Sequence, residues 1–538
     1  MLTQEMAQRR NLLFIICLLA LGAFVFFYRL GEKDMWTRLE SEAAVAGRDM
    51  LDTGRILIPH FFDQPFVDNR PPGAFWLVAA SYKLTGRRDE WAARLPSALA
   101  ALGCVLLVYA MGRRAANETA GFLSALVLLG MLTFVLMGRM SQQDMLLTLW
   151  TMLGHWAFWR SLDEGSSAFR YVLAFQIFLG LGAITKGPAV VLTVLFPLAV
   201  YVIYSRRWRD VKWLMLVSTL PVSLALTLWW YLYVWIEWPS MRQVLVSRFV
   251  GQSERHIEPF YFYFLHIPEL LGPATLLLPL LPIGWFKASP AQRRGPLGLF
   301  LISALSIFFV MCLFASRRTH YLVPLLPVLS LALGLVMANQ RYDEGRYLTR
   351  STLVLATLNP LIIVAWVFMA PDHLRLESVV REWAAFAVLA GMAAWSWILL
   401  RAGRRSTAWR ISWVSCIVAL AFFLGDIYQR AGDLRSPRKF AENVAKVVPS
   451  QTRLGSLSSH AALLFYVGRP MEFLDVSSVK GFLASPNHYL IVVDDDFLRI
   501  DEKRRQIVLS QSPYRQYDKA YLLRGGPSER DTRGPIIQ

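Results

Sequence analysis

Asn11-Leu-Leu-Phe-Ile-Ile-Cys-Leu-Leu-Ala-Leu-Gly-Ala-Phe-Val-Phe-Phe-Tyr28 carries no charge and lies between Arg9-Arg10 and Arg29. At 1.5 Å per residue, a helix of this length crosses the ~30 Å hydrocarbon core of a bilayer. No small-residue cleavage site precedes the next charged stretch, so the run reads as a retained first helix and not as a signal peptide. Similar runs of roughly 18 to 23 residues, bounded by Arg, Lys or Pro, recur along the chain. They fall near Leu95–Met111, Ala120–Leu136, Met145–Phe158, Tyr171–Ile184, Pro188–Tyr204, Trp213–Trp235, Leu265–Trp285, Leu297–Phe314, Tyr321–Met337, Thr352–Met369, Trp383–Leu400 and Ile411–Ile427. The expectation is a polytopic α-helical membrane protein of about thirteen spans.

Composition agrees with that reading. The 538 residues are 55% hydrophobic and only 17% charged, with a mean hydropathy of +0.40, too apolar for an average soluble domain. A net charge of +18 raises the question of nucleic acid, but the basic residues sit in short loops between the spans and form no soluble basic face. Cys17, Cys104, Cys312 and Cys416 all lie inside apolar runs without metal-site or disulfide spacing.

An odd number of spans puts the termini on opposite sides. With Arg9 and Arg10 cytoplasmic, Arg113/Arg114, Arg206/Arg207/Arg209/Lys212, Lys287/Arg293/Arg294, Arg341/Arg346/Arg350 and Arg401/Arg404/Arg405 all fall inside, as the positive-inside rule requires. Two long loops then face outward from a membrane domain spanning residues 1–428. Residues 31–94 include Pro72–Leu84, apolar but too short to span, and read as interfacial helices. Residues 237–264 end in the aromatic run Phe260 to Phe264, suited to the headgroup level. The last region, 429–538, lies outside with them. Its apolar runs shorten to strand length at Leu454–Leu457, Tyr489–Val493 and Tyr521–Leu523, which predicts a small soluble α/β domain, and the Gly-, Pro- and charge-rich stretch from Gly525 reads as disordered.

Ionisable groups near membrane depth are costly, which makes them functional candidates. On the outer side these are Glu40 and Glu42 after the first helix, Asp68 and Arg70 before the interfacial stretch, and Arg139 and Asp144 around a short turn. Lys186 lies in a Gly-Pro turn, Glu254, Arg255, His256 and Glu258 in the second loop, and Arg317, Arg318 and His320 before the tenth span. Arginines and lysines with a few carboxylates suit an anionic lipid phosphate: the cations neutralise the leaving group while a carboxylate orients or deprotonates an acceptor. Other readings stand beside this one. Arg139–Asp144 can be a local salt bridge, Arg317 and Arg318 can snorkel to headgroups, and the 254–258 cluster can be a solvated loop.

Trp36 through Met50, Asn69-Arg-Pro-Pro-Gly-Ala-Phe-Trp76, Glu90-Trp-Ala-Ala-Arg-Leu-Pro-Ser97, Gly138-Arg139 to Asp144, Thr185-Lys-Gly-Pro188, Glu254-Arg-His-Ile-Glu-Pro-Phe-Tyr261 and Arg318-Thr-His-Tyr to Pro324 occur in that order. Together they resemble the GT-C glycosyltransferases, above all the bacterial lipid A aminoarabinose transferases and their protein O-mannosyltransferase relatives. The resemblance implies an inverting transfer from a polyprenyl-phosphate sugar, usually undecaprenyl phosphate, in the bacterial inner membrane. The implied acceptor is lipid A phosphate, another envelope glycan or a protein hydroxyl. By position it implies that Arg70 holds the donor phosphate and that Lys186, Arg255 and Arg318 line the cavity. It makes Asp144 a supporting acid and His256 a loop residue able to bind a divalent metal.

Two positions depart from the family. Leu39 stands where the family places an acid, leaving Glu40 or Glu42 to substitute, and Asn69 stands where the aminoarabinose transferases place a Glu able to share zinc with the loop histidine. A zinc or magnesium site would retain only Asp68 and His256, two ligands of an open, weak site. Loss of the acid leans toward an anionic acceptor, because a phosphate is already ionised and needs little base assistance. A transporter or a lipid-binding assembly factor are the competing classes. A transporter would carry repeated halves with midplane charges, which the sequence lacks.

Overall fold

The structure is a computed structural model and describes residues 2–61, 64–65, 71–163, 167–239, 242, 257–339, 349–358, 361, 379–428, 436–457, 461–497, 499–500, 506–511 and 519–526. It comprises two compact units, one of residues 1–30, 67–74 and 94–427, the other of residues 31–66, 75–93 and 428–538.

The first unit is helical. α1 (Leu2–Phe27) takes up the first apolar run. In the second unit follow α2 (Arg38–Thr53), the short antiparallel pair β1 (His60–Phe61) and β2 (Gln64–Pro65), and α3 (Gly73–Thr85), whose first two residues belong to the first unit. α4 (Glu90–Ala115), α5 (Glu118–Leu129), α6 (Leu132–Gly138), α7 (Gln143–Asp163) and α8 (Ala168–Lys186) come next. A π-turn at Val191–Leu195 leads into α9 (Phe196–Ser205), followed by α10 (Trp213–Glu237). Later apolar helices cover Pro296–Leu313, Leu325–Ala338, Val379–Arg401 and Arg405–Phe422.

Among the described residues seven helices are long and apolar enough to span, or nine if two bent pairs each count once. Two expected spans are therefore broken. α5 and α6 meet at 74°, and Ile267–Leu277 meets Leu280–Lys287 at 52°. The first break has a visible cause: the indole N–H of Trp413 donates to Leu126 O at 2.7 Å, and a Cβ at Gly130 would lie 2.7 Å from the same ring. Only glycine lets the indole cover the end of α5. The second break falls at Leu278-Pro279, between Leu277 and Leu280, where proline lacks an amide donor. The expected Pro188–Tyr204 and Tyr321–Met337 spans appear as shorter apolar helices, Val191–Ser205 and Leu325–Ala338. Much of the expected Thr352–Met369 span lies outside the described residues.

The second unit holds a five-stranded sheet in the order β4-β3-β5-β7-β6: β3 (Arg453–Ser456), β4 (Glu472–Phe473), β5 (His488–Val493), β6 (Gln506–Gln511) and β7 (Ala520–Arg524). β3 runs parallel to β4 and β5, and β7 antiparallel to β5 and β6. The central strand is buried on both faces. Tyr489, Ile491 and Val493 join one core cluster while Leu490 and Val492 join the other, the period-two alternation of a pleated strand. The three expected strands are β3, β5 and β7. β4 is only two residues long, and β6, a bulged edge strand, carries the short run Ile507-Val508-Leu509, which is not among the expected strands. The two helices of residues 31–94 pack together through Ala43, Ala46, Met50, Phe75 and Ala79. The stretch expected to be disordered lies mostly outside the described residues.

Candidate functional site

α7 and α8 form an antiparallel hairpin, which brings the first turn of α7 beside the last turn of α8. Asp144 occupies that first turn and Lys186 that last one, the placements that the helix dipole favours for an anion and a cation. α8 stops at Gly187, whose φ of +65° is open to glycine at no cost. The Lys186 ammonium pairs with Asp144 Oδ1 and lies 5.1 Å from the centre of the Tyr321 ring, within cation–π range. Asp144 is buried, while about a fifth of the lysine side chain, 22%, remains accessible.

Other groups converge around this pair. His320 packs edge-on against Tyr321, ring centres 4.9 Å apart, in the 3-10 turn Thr319–Leu322. The Arg318 backbone N–H donates to the Tyr263 hydroxyl at 3.4 Å, and the Arg318 guanidinium has no partner among the described residues. A Cβ at Gly73 would stand 2.7 Å from Ile184 O, so the backbone after Pro71-Pro72 rests against the last turn of α8.

Beyond Gly187 and Pro188 opens a cavity of about 870 Å³ between α8, α9 and α10. Phe175, Leu179, Leu195, Leu198, Leu220 and Leu224 are among its walls. Two polar side chains in that wall satisfy each other: the Ser223 hydroxyl donates to Gln176 Oε1 at 2.7 Å, and Gln176 Nε2 donates to Leu216 O at 3.1 Å. The cavity wall is thus largely apolar, and Gly187 within it directly follows Lys186.

The structure separates the other cationic candidates by task. Arg139 does not bridge to Asp144. Its guanidinium donates to Val25 O at 2.6 Å and Tyr28 O at 2.7 Å, the carbonyls left open at the end of α1. Arg317 does the same for Pro296–Leu313, donating to Cys312 O at 2.7 Å and to Glu258 O. The salt-bridge reading of the turn and the snorkelling reading of Arg317 are both corrected here: a buried helix end needs donors, and each arginine supplies them. Asp68, Arg70, Arg255 and His256 lie outside the described residues.

In the second unit Glu40 is fully buried, with Lys33 Nζ 3.6 Å from its carboxylate. Lys33 also lies 5.0 Å from the Tyr428 ring. Glu42 accepts from Arg38 Nε at 2.5 Å. The two glutamates therefore have different partners. Among the described residues no group of three His, Cys, Asp or Glu side chains could hold a metal; Asp68 and His256 are not among those residues. Tyr321 and Lys33 gained no role from the sequence, although Tyr321 belongs to the motif Arg318-Thr-His-Tyr and Lys33 lies three residues before the one that opens at Trp36.

One unit thus holds membrane-length apolar helices, an apolar cavity and a partly accessible lysine, and the other holds a mixed α/β sheet. Residues 69–231 match the sequence family described as dolichyl-phosphate-mannose-protein mannosyltransferase. An undecaprenyl phosphate-α-4-amino-4-deoxy-L-arabinose arabinosyl transferase of Pseudomonas fluorescens is 27% identical over 89% of this chain and 88% of its own. One from Shewanella sediminis is 26% identical over 79% of each. The crystal structure of ArnT from Cupriavidus metallidurans superposes with a TM-score of 0.77 at 19% identity, covering 95% of this chain and 99% of that one. The same enzyme has been solved bound to undecaprenyl phosphate, also at a TM-score of 0.77, covering 94% and 97%. The chain is thus similar in sequence to aminoarabinose transferases over most of its length and shares the fold of ArnT.

Proposed function

We propose that the chain transfers a sugar from a polyprenyl-phosphate carrier, undecaprenyl phosphate in a bacterial inner membrane, to lipid A or another envelope acceptor on the periplasmic face. One observation carries the reading: a partly accessible cation one residue from the wall of an apolar cavity of about 870 Å³ suits a ligand that is phosphate at one end and hydrocarbon along the rest. Burial of the chain gives affinity at about 0.8 kcal/mol per methylene group, and the cation fixes which end faces the reaction.

Lys186 and Arg318 hold the donor phosphate and neutralise it as it leaves. Arg70 and Arg255 are assigned to the same task from their places in the motifs. Asp144 orients Lys186. The acceptor oxygen attacks the anomeric carbon opposite the phosphate, which inverts that centre. Glu40 orients or deprotonates the acceptor, with Glu42 as the alternative base. Arg139 and Arg317 support the arrangement through the helix ends they cap. The proposed organisation is thirteen spans in residues 1–428, with residues 429–538 periplasmic. A hydroxyl acceptor on a protein or polysaccharide is the second reading, favoured by the match of residues 69–231 to the mannosyltransferase family.

Purified protein incubated with a labelled polyprenyl-phosphate sugar tests this directly. With lipid A present, label moves to lipid A and polyprenyl phosphate is released. A carrier left intact with lipid A, polysaccharide and protein acceptors alike overturns the reading.

A further inference from the structure

Arg438 opens the helix Arg438–Val447 in the second unit. Its guanidinium pairs with Asp34 and donates to Glu90 Oε1 at 2.8 Å, and it lies 4.9 Å from the Tyr466 ring centre. The Tyr466 hydroxyl donates to the same Glu90 oxygen at 2.9 Å and accepts from the Met35 backbone N–H at 2.7 Å. Asp34, Met35 and Glu90 are all buried. Burial opposes the charge of Arg438, but Glu90 and Asp34 outweigh it and raise its pKa. Burial, then Glu90, push the Tyr466 phenol up.

The segment held in this way leads straight into α2. Lys33, next to Asp34, contacts Glu40 at 3.6 Å. Thr37, at the N-cap of α2, makes no side-chain capping bond, so that end of the helix lacks the local anchor that usually fixes it. The anchor comes instead from residues four hundred positions later in the chain.

We propose that Arg438 and Tyr466 are positioning residues for Glu40: by fixing Asp34 and Met35 they set the Lys33–Glu40 pair, so the carboxyl-terminal region takes part in turnover. The inference rests on the role given to Glu40 above. One arginine balances two buried carboxylates here, and its loss leaves Asp34 and Glu90 repelling each other and the segment free to shift.

The test compares Arg438→Gln, Arg438→Lys, Tyr466→Phe, Glu40→Gln and the Arg438→Gln/Glu40→Gln double variant in full-length protein. Release of polyprenyl phosphate gives kcat and donor KM, and amide exchange reads residues 35–42. Arg438→Gln and Tyr466→Phe are expected to lower kcat about tenfold or more while donor KM stays within about twofold, with faster exchange at Met35. Arg438→Lys restores much of the loss. The double variant falls within about twofold of Glu40→Gln alone, because the arginine acts through the glutamate. Losses that multiply in the double variant overturn the positioning role and leave that of Glu40 intact. A Glu40→Gln variant at the parent rate overturns both. Tyr466→Phe removes one hydroxyl and keeps the ring, so parent turnover and parent exchange in that variant overturn the inference even where Arg438→Gln does not fold.

Discussion

Lys186 and Arg139 are both cations near the ends of apolar helices, and their surroundings give them opposite tasks. Lys186 keeps part of its side chain accessible beside an apolar cavity, whereas Arg139 is buried against two carbonyls. Lys186→Ala is therefore expected to cost about 2 to 4 kcal/mol of transition-state stabilisation, roughly 30- to 900-fold in kcat/KM, at near-parent melting temperature. Near-normal turnover would return the lysine to a structural role. Arg139→Ala should lower stability by about 1 to 3 kcal/mol, because it leaves buried carbonyls unsatisfied, and thermal unfolding in detergent reads that loss. Glu40→Gln should retain folding and donor binding while slowing transfer to a hydroxyl acceptor by about a hundredfold, and to a phosphate acceptor by less. Glu42→Gln should matter less, since it points about 200° away around the helix and has its own partner in Arg38. A larger effect from Glu42→Gln would reverse the assignment. The sequence singled out these residue types because charge is expensive near a membrane. Which of them serve the fold was not legible, since the carbonyls that Arg139 caps belong to a helix more than a hundred residues away.

Elements of the first unit pack through small residues. α5 meets Leu325–Ala338 where a Cβ on Gly334 would lie 2.0 Å from Ser124 Oγ and 2.6 Å from the Ser124 backbone nitrogen, the close approach that small side chains allow between membrane helices. Gly334→Ala should destabilise by about 1 to 3 kcal/mol through overpacking, seen as a lower melting temperature in detergent. Gly391, whose Cβ would meet nothing within 4 Å, supplies the control: Gly391→Ala should leave the temperature unchanged or raise it, since alanine favours helix by about 1 kcal/mol. A matching drop in both would show that the Gly334 contact is not what limits stability. Helix identity and most helix ends followed from apolar run length. The 74° break between α5 and α6 did not, because an indole from Arg405–Phe422 produces it and no local residue signals that contact.

For the whole molecule, the charge pattern predicts that the carboxyl-terminal region is periplasmic. A reporter active only in the periplasm should work when fused at Gly526, and activity of a cytoplasm-only reporter there would invert the topology. The sequence by itself determined that the chain carries many membrane-length apolar helices and where β3, β5 and β7 lie, and it predicts which side the loops face. Those properties come from hydrophobic length, loop charge and strand-length apolar runs, all readable along the chain. It also exposed an ordered set of motifs that resembles those of the GT-C transferases. Only the tertiary structure decided that Lys186 pairs with Asp144, that an apolar cavity begins beside them, and that Arg438 reaches Asp34 and Glu90. Each of these joins residues from about 40 to 400 positions apart, and a pairing over that distance is set by how helices pack, which no local spacing records.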